Sequence, residues 1–242
     1  VEPAGDFYDW VTRSGDYYPA TRWEWQECKR QLEALQVERG ERSLEVLDLG
    51  CGSGRFLKML RTVPGCHAVG VDINEAGIEA CRDAGLEAYH GDLEFAFVRQ
   101  FARYHVVTLW HVIEHVSDPI GLLSMVKENL AEGGCIYLSV PMSPLSYEAS
   151  WPDPLNYPPH HLTRWNVDSL QALGRRLDMS LQLVMPRAQS LPSRVIHSLL
   201  LQSGSPFARL TRKKKLLRLL TTFAAIRGIR FSKDIDSSIG RD

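Results

Sequence analysis

The sequence predicts an α/β fold, a doubly wound and mostly parallel sheet with helical segments before and after it. Three observations carry this. Strand and helix signals alternate from residue 44 to about 142. An apolar strand runs into three glycines at alternate positions, Gly50, Gly52 and Gly54. Residues 104–110 are almost wholly apolar, as befits a strand covered on both faces. A βαβα order of this kind puts helices on both sides of the sheet and ligands at the carboxyl ends of the strands.

The elements follow in order. Residues 46–49 read as the first strand and 55–61 as its helix, and 68–73 are a second strand with 75–84 helical after it. A short third strand spans 86–89, and 104–110 are the fourth. A helix over 119–130 meets a stop signal in Glu132-Gly-Gly134 before a fifth strand at 135–140. Asn166 can cap a helix over 167–177, and 181–185 read as a sixth strand. Beyond it no good seventh strand is legible; either that strand lies outside the chain or a helical tail replaces it. There are no internal repeats.

Three regions result. Residues 1–43 form an N-terminal helical cap, with an aromatic-rich start and an amphipathic helix over about 22–37. Residues 44–186 form the core, whose segment 141–165 contains Pro141, Pro144, Pro152, Pro154, Pro158 and Pro159 and is long enough to be a lid. Residues 187–242 are a basic, helical C-terminal region.

A chain of 242 residues with 44% hydrophobic side chains suffices for one large domain with a sizeable core. Its five cysteines are scattered, with no Cys-x-x-Cys pair, which argues for a reducing, cytoplasmic setting and against a zinc cluster. No signal peptide opens the chain, and no apolar run reaches the ~18 residues that span a bilayer. The net charge is −1, yet between Met179 and Lys233 there are eleven Lys and Arg and no acid. That asymmetry points to an interaction surface.

The run Glu45-Val-Leu-Asp-Leu-Gly-Cys-Gly-Ser-Gly-Arg-Phe-Leu57 is the densest signal. Its glycines allow a sharp turn at a strand end and close approach of a ligand to the backbone. Asp48 sits inside the strand, where a lone carboxylate is costly unless paired. Asp72 ends the second strand, placed for ribose hydroxyls, and Asp92 follows the third, placed for an adenine amino group. A dinucleotide loop wants Gly-x-Gly-x-x-Gly, so that pyrophosphate rests on a helix N-terminus. The Gly-x-Gly-x-Gly spacing here disfavours a nucleotide-dependent oxidoreductase, and the three acids suit a sulfonium and an amino group.

Residues 46–56, 69–74, 91–93, 106–116 and 130–141 resemble the successive motifs of class I S-adenosylmethionine-dependent methyltransferases, and the resemblance covers roughly 44–186. Leu109-Trp-His-Val-Ile-Glu-His-Val116 is most similar to the subgroup of ubiquinone-biosynthesis O-methyltransferases and related small-molecule and glycan methyltransferases. Pro158-Pro-His-His-Leu-Thr-Arg-Trp165 has close counterparts there. The resemblance implies a Rossmann-like methyltransferase fold and S-adenosyl-L-methionine as cofactor, released as S-adenosyl-L-homocysteine. It implies that Gly50, Cys51, Gly52 and Gly54, with Asp48 beneath them, line the methionine part. Asp72 would hold the ribose, Ile73 would pack on adenine, and Asp92 with the Leu93 backbone would meet its edge. Trp110 and His111 would flank the sulfonium.

Methyl transfer from a sulfonium is an in-line displacement governed by positioning, and an oxygen nucleophile gains from a base. His111, Glu114 and His115 would share one face of a helical turn, with His160 and His161 on the long loop. A general base, a divalent metal site completed by a loop histidine, and a structural knot all fit this spacing; the metal is not favoured. Some relatives use a metal bound through Glu-x-x-Glu-His, and here His111 replaces the first Glu. The expected acceptor is a small molecule or saccharide, methylated on oxygen. A cofactor-binding scaffold or sensor without activity is the alternative from another class.

Residues 207–231 form a basic amphipathic helix, with Leu216, Leu219, Leu220, Phe223 and Ile226 on one face. It could pack on its own domain, lie peripherally on an anionic membrane, or bind a polyanion. Nucleic acid is the least favoured partner, because no aromatic stacking platform interleaves the charges. Nothing in the sequence points to an oligomeric state.

Overall fold

The computed structural model describes residues 21–40, 42–92, 103–144, 156–184 and, for the backbone, 226–232. The order is α1 (Trp23–Arg39), β1 (Leu44–Leu49), α2 (Arg55–Leu60), β2 (Cys66–Asp72), α3 (Glu75–Asp83), β3 (Ala88–His90) and β4 (Tyr104–Trp110). A 3-10 turn (Ile113–His115) follows, then α4 (Pro119–Asn129), β5 (Leu130–Pro141), α5 (Val167–Arg176), β6 (Ser180–Val184) and β7 (Ile226–Ser232).

The sheet runs β3-β2-β1-β4-β5-β7-β6. The five strands β3, β2, β1, β4 and β5 are parallel, and β7 is antiparallel to both of its neighbours. Strand order reverses between β1 and β4, which is where a doubly wound sheet opens a crevice for ligands. The expected fold class is therefore observed.

One expectation is corrected. A seventh strand exists, and Ile226–Ser232 belongs to it rather than to a helix over 207–231. It pairs Ile229 with Leu138 of β5 and with Leu183 of β6, closing the sheet from within the region expected to be helical. Residues 207–225 of the expected basic helix, the aromatic residues before Thr21 and the lid segment 145–155 lie outside the described residues. Among the described residues, no helix is long and apolar enough to cross a membrane.

Alternation along the strands divides the core in two. Leu47, Leu49, Val107, Leu109, Ile136 and Leu138 face α4 and α5 through Leu122, Leu123, Val126, Leu170 and Leu173. Leu44, Val46, Val106, Trp110 and Tyr137 face the other way, toward Trp25, Cys28 and Leu32 of α1 and Phe56 and Leu60 of α2. The expected cap helix thus packs along the sheet, and its first turn approaches the carboxyl end of β4.

Candidate active site at the carboxyl ends of the strands

The chain leaves β1 through Gly50, Cys51 and Gly52, and the loop is tied to β2. Gly50 N–H and Cys51 N–H donate to the Val71 carbonyl at 2.8 and 3.2 Å. Gly52 N–H donates to Asp72 Oδ2 at 2.7 Å, and Asn74 N–H to Oδ1 at 2.8 Å. Gly50 has φ +76°, and a Cβ there would stand 2.6 Å from Val112 Cγ2, so the loop lies directly on the turn that follows β4. Gly52 has φ +53°, and a Cβ there would meet nothing within 4 Å. Its open side leaves bare backbone for a ligand.

Asp72 uses one lone pair of each oxygen on these amides, and further lone pairs remain for hydroxyl donors. Burial pushes its carboxyl above the ordinary range, against the pull of the two amides. Beside it Ile73 is 54% exposed, an aliphatic surface without a protein cover. Asp92 is exposed beyond β3, and Leu93 lies outside the described residues. A carboxylate beside an exposed aliphatic side chain suits the adenosyl part of S-adenosylmethionine, and bare glycine backbone its methionine part.

Asp48 is buried beneath the loop and accepts the Thr108 hydroxyl at 2.6 Å, its register partner on β4. Burial lifts its carboxyl to about 7; the hydroxyl bond opposes this and the charge of Asp72 adds to it. Thr108, absent from the sequence expectations, is the partner that Asp48 required. Cys51 is buried, and the neighbouring Cys81 thiol, burial and the nearby carboxylates all push its thiol up. Trp110 is buried in an edge contact with Phe56, ring centroids 5.2 Å apart.

At the end of β4 the expected His111–Glu114–His115 face divides into two groups. His111 N–H still bonds the Ser139 carbonyl at 3.0 Å, but its φ of 58° turns the chain off the strand. Its Nδ1 lies 3.1 Å from Glu114 Oε1 and its Nε2 3.8 Å from Glu24 Oε1. Burial opposes ionisation of all three, and the nearby Arg22, 3.5 Å from Glu24, also opposes that of His111; the carboxylate–imidazole interactions still hold Glu24 and Glu114 below the usual carboxylate range and His111 above the usual imidazole range. His111 thus lies between two carboxylates that favour its charged form, which suits an anchor and not a base. Glu24 was missed in the sequence; its one signal is an acid enclosed by Trp23 and Trp25.

His115 turns to the other side. Its Nδ1 lies 2.7 Å from the His160 carbonyl, and its ring is 4.7 and 4.8 Å from those of His160 and His161. The loop that brings these histidines is docked on the 3-10 turn by Leu162 N–H and Thr163 N–H, which donate to the Glu114 carbonyl at 2.7 and 3.2 Å. A pocket opens there, lined by Glu114, Pro141, Met142, Ser143, Asn156, His161, Thr163 and Arg164. Burial, with the charges of the neighbouring imidazoles, drives His161 down to about 4, so it is neutral near pH 7. The motif set His111, Glu114 and His115 does not converge on one point and does not fit a metal ion.

The model of a methyltransferase domain family matches residues 21–182. The chain belongs to this family. Its match runs from α1 to β6, so the methyltransferase domain includes the helix that carries Glu24. A ubiquinone biosynthesis O-methyltransferase from Leptothrix cholodnii is 31% identical over 103 residues, 40% of this chain and 43% of the relative. The chain thus spans less than half the length of this curated relative. A crystal structure of a SAM-dependent methyltransferase from Archaeoglobus fulgidus aligns with TM-score 0.56 at 17% identity, covering 85% of this chain and 94% of that one. The plantazolicin methyltransferase BpumL, in complex with a triazolic desmethylPZN analog and SAH, aligns with TM-score 0.60 at 17% identity, covering 95% and 91%. At these identities the two structures speak for the fold.

Proposed function

We propose that this chain is an S-adenosylmethionine-dependent methyltransferase that acts on an oxygen of a small molecule or sugar. The observation that carries the reading is the contact of Gly50 with Val112, two residues before Glu114. It sets the cofactor loop against the same turn whose Glu114 lines the second pocket, so donor and acceptor sites adjoin.

Gly50, Cys51, Gly52 and Gly54 hold the methionine part, Asp72 the ribose, and Ile73, Asp92 and Leu93 the adenine. Bound there, the cofactor supplies an electrophilic methyl group. Trp110 and His111 shape the wall between the two sites, with His111 held by Glu24 and Glu114. The cluster of His115, His160 and His161 handles the proton that an acceptor hydroxyl must lose. Proton removal by a placed group contributes about 10²–10⁴-fold.

The test is S-adenosylhomocysteine release from the full chain across a panel of hydroxylated small molecules and sugars. For an acceptor so found, His161→Ala should lower turnover about 10²-fold while cofactor affinity stays near that of the parent chain. Unchanged turnover would remove the cluster from the reaction.

A further inference from the structure

We propose that His115, His160 and His161 bind a divalent transition-metal ion, zinc foremost, at the edge of the acceptor pocket. Among the described residues, these three are the group whose ligand atoms gather closely enough, all within 4.8 Å of one another. A tetrahedral zinc ion with Zn–N of about 2.1 Å sets its nitrogens roughly 3.4 Å apart, so the rings need to close by at most about 1.4 Å. Side-chain rotation covers that distance.

Two features suit the cluster to a cation. Imidazoles that ligate metals donate their second ring N–H to a carbonyl or carboxylate, which fixes the tautomer. His115 does this through Nδ1, 2.7 Å from the His160 carbonyl, which puts its lone pair on Nε2. Moreover, the three imidazole rings are held together, with centroids 4.7 to 4.9 Å apart. Imidazole nitrogens brought together are ligands for zinc and its neighbours in the first transition row.

The ligand set departs from the motif. His111 and Glu114 are occupied with each other and with Glu24, and two residues of the docked loop take their place. Three histidines leave a fourth position open, as in catalytic zinc sites, and His161 is already a wall of the pocket. A hydroxyl bound at that position would have its pKa lowered and would release its proton to solvent water, the three imidazole lone pairs being on the ion. That use rests on the methyl-transfer reading; the binding of the ion does not.

The full chain, stripped by a chelator, is titrated with Co²⁺ and Zn²⁺ by calorimetry and Co²⁺ absorption, with S-adenosylmethionine binding measured in parallel. One equivalent should bind, with the strong visible absorption of low-coordinate Co²⁺. His160→Ala and His161→Ala should each weaken binding at least about tenfold, and His67→Ala, which alters an exposed histidine beside Glu45 and Glu87, should not. No saturable binding by the parent chain, or equal affinity in the His160→Ala/His161→Ala double variant, would overturn the proposal. Should that double variant not fold, Zn²⁺ protection of the parent chain's histidines from diethyl pyrocarbonate decides. Protection of the three supports the site, and its absence there overturns it. Metal binding without turnover would count against methyl transfer alone.

Discussion

Glu24, in the first turn of the N-terminal helix, lies 3.8 Å from His111 at the end of the fourth strand. With Glu114 at 3.1 Å on the other ring nitrogen, one imidazole joins two buried carboxylates and closes the helix onto the site. Removing one partner of a buried charge set costs about 3–5 kcal/mol, because the remainder is left uncompensated. His111→Ala leaves Glu114 buried without its cation, while Glu24 keeps Arg22 at 3.5 Å, so it should lower stability by about that amount and by more than Glu24→Gln does. Urea unfolding of the two variants beside the parent chain checks the order.

Asp48 makes stability depend on pH. Its carboxyl stands at about 7 in the folded chain, against an ordinary value of 3.8. Between those values the folded chain keeps a proton that the unfolded chain has released. This contribution is therefore complete below about pH 4 and is lost as pH rises through about 7. Asp48→Asn keeps an acceptor for Thr108 and removes the titration. Relative to the parent chain, the variant should gain stability from pH 5 to about pH 7 and level off above it. Urea midpoints across that range would show it, and parallel curves would refute it.

Gly50 and Gly52 both have positive φ, yet alanine should affect them differently. At Gly50 a Cβ meets Val112 Cγ2 at 2.6 Å, whereas at Gly52 it meets open space. Gly52→Ala should cost only the left-handed strain, roughly 1–2 kcal/mol. Gly50→Ala should cost more and also shift the turn that carries Glu114. Thermal unfolding ranks the pair, and Gly50→Ala/Val112→Ala should recover part of the difference.

Much of the sheet was legible because its signals are local. The fourth strand's limits, 104 and 110, were read directly, and the strand's apolar side chains are buried on both faces. The glycine loop and Asp72 were legible for the same reason, since turn chemistry sits in the residues that turn. Ile226–Ser232 was not legible: Ile226 and Ile229 are three apart, as on a helix, and strand pairing is supplied by β5 and β6. The site divided in the same way. Spacing suggested that His111, Glu114 and His115 share a face, but the left-handed turn at His111 sends His115 toward the loop histidines. Glu24 is separated from His111 by most of the sheet in sequence, and no local pattern joins them.

In the reading proposed above, the loop after the first strand, fastened to Asp72, binds S-adenosylmethionine. Calorimetric titration of the full chain with S-adenosylmethionine tests it most directly, with Asp72→Ala alongside. Losing hydrogen bonds to a charged carboxylate costs about 1.5–3 kcal/mol, so the variant should bind at least about tenfold more weakly. One saturable site in the parent chain, weakened in Asp72→Ala, is the expected result. No saturable binding by a folded parent chain, or equal affinity in Asp72→Ala, would contradict the account.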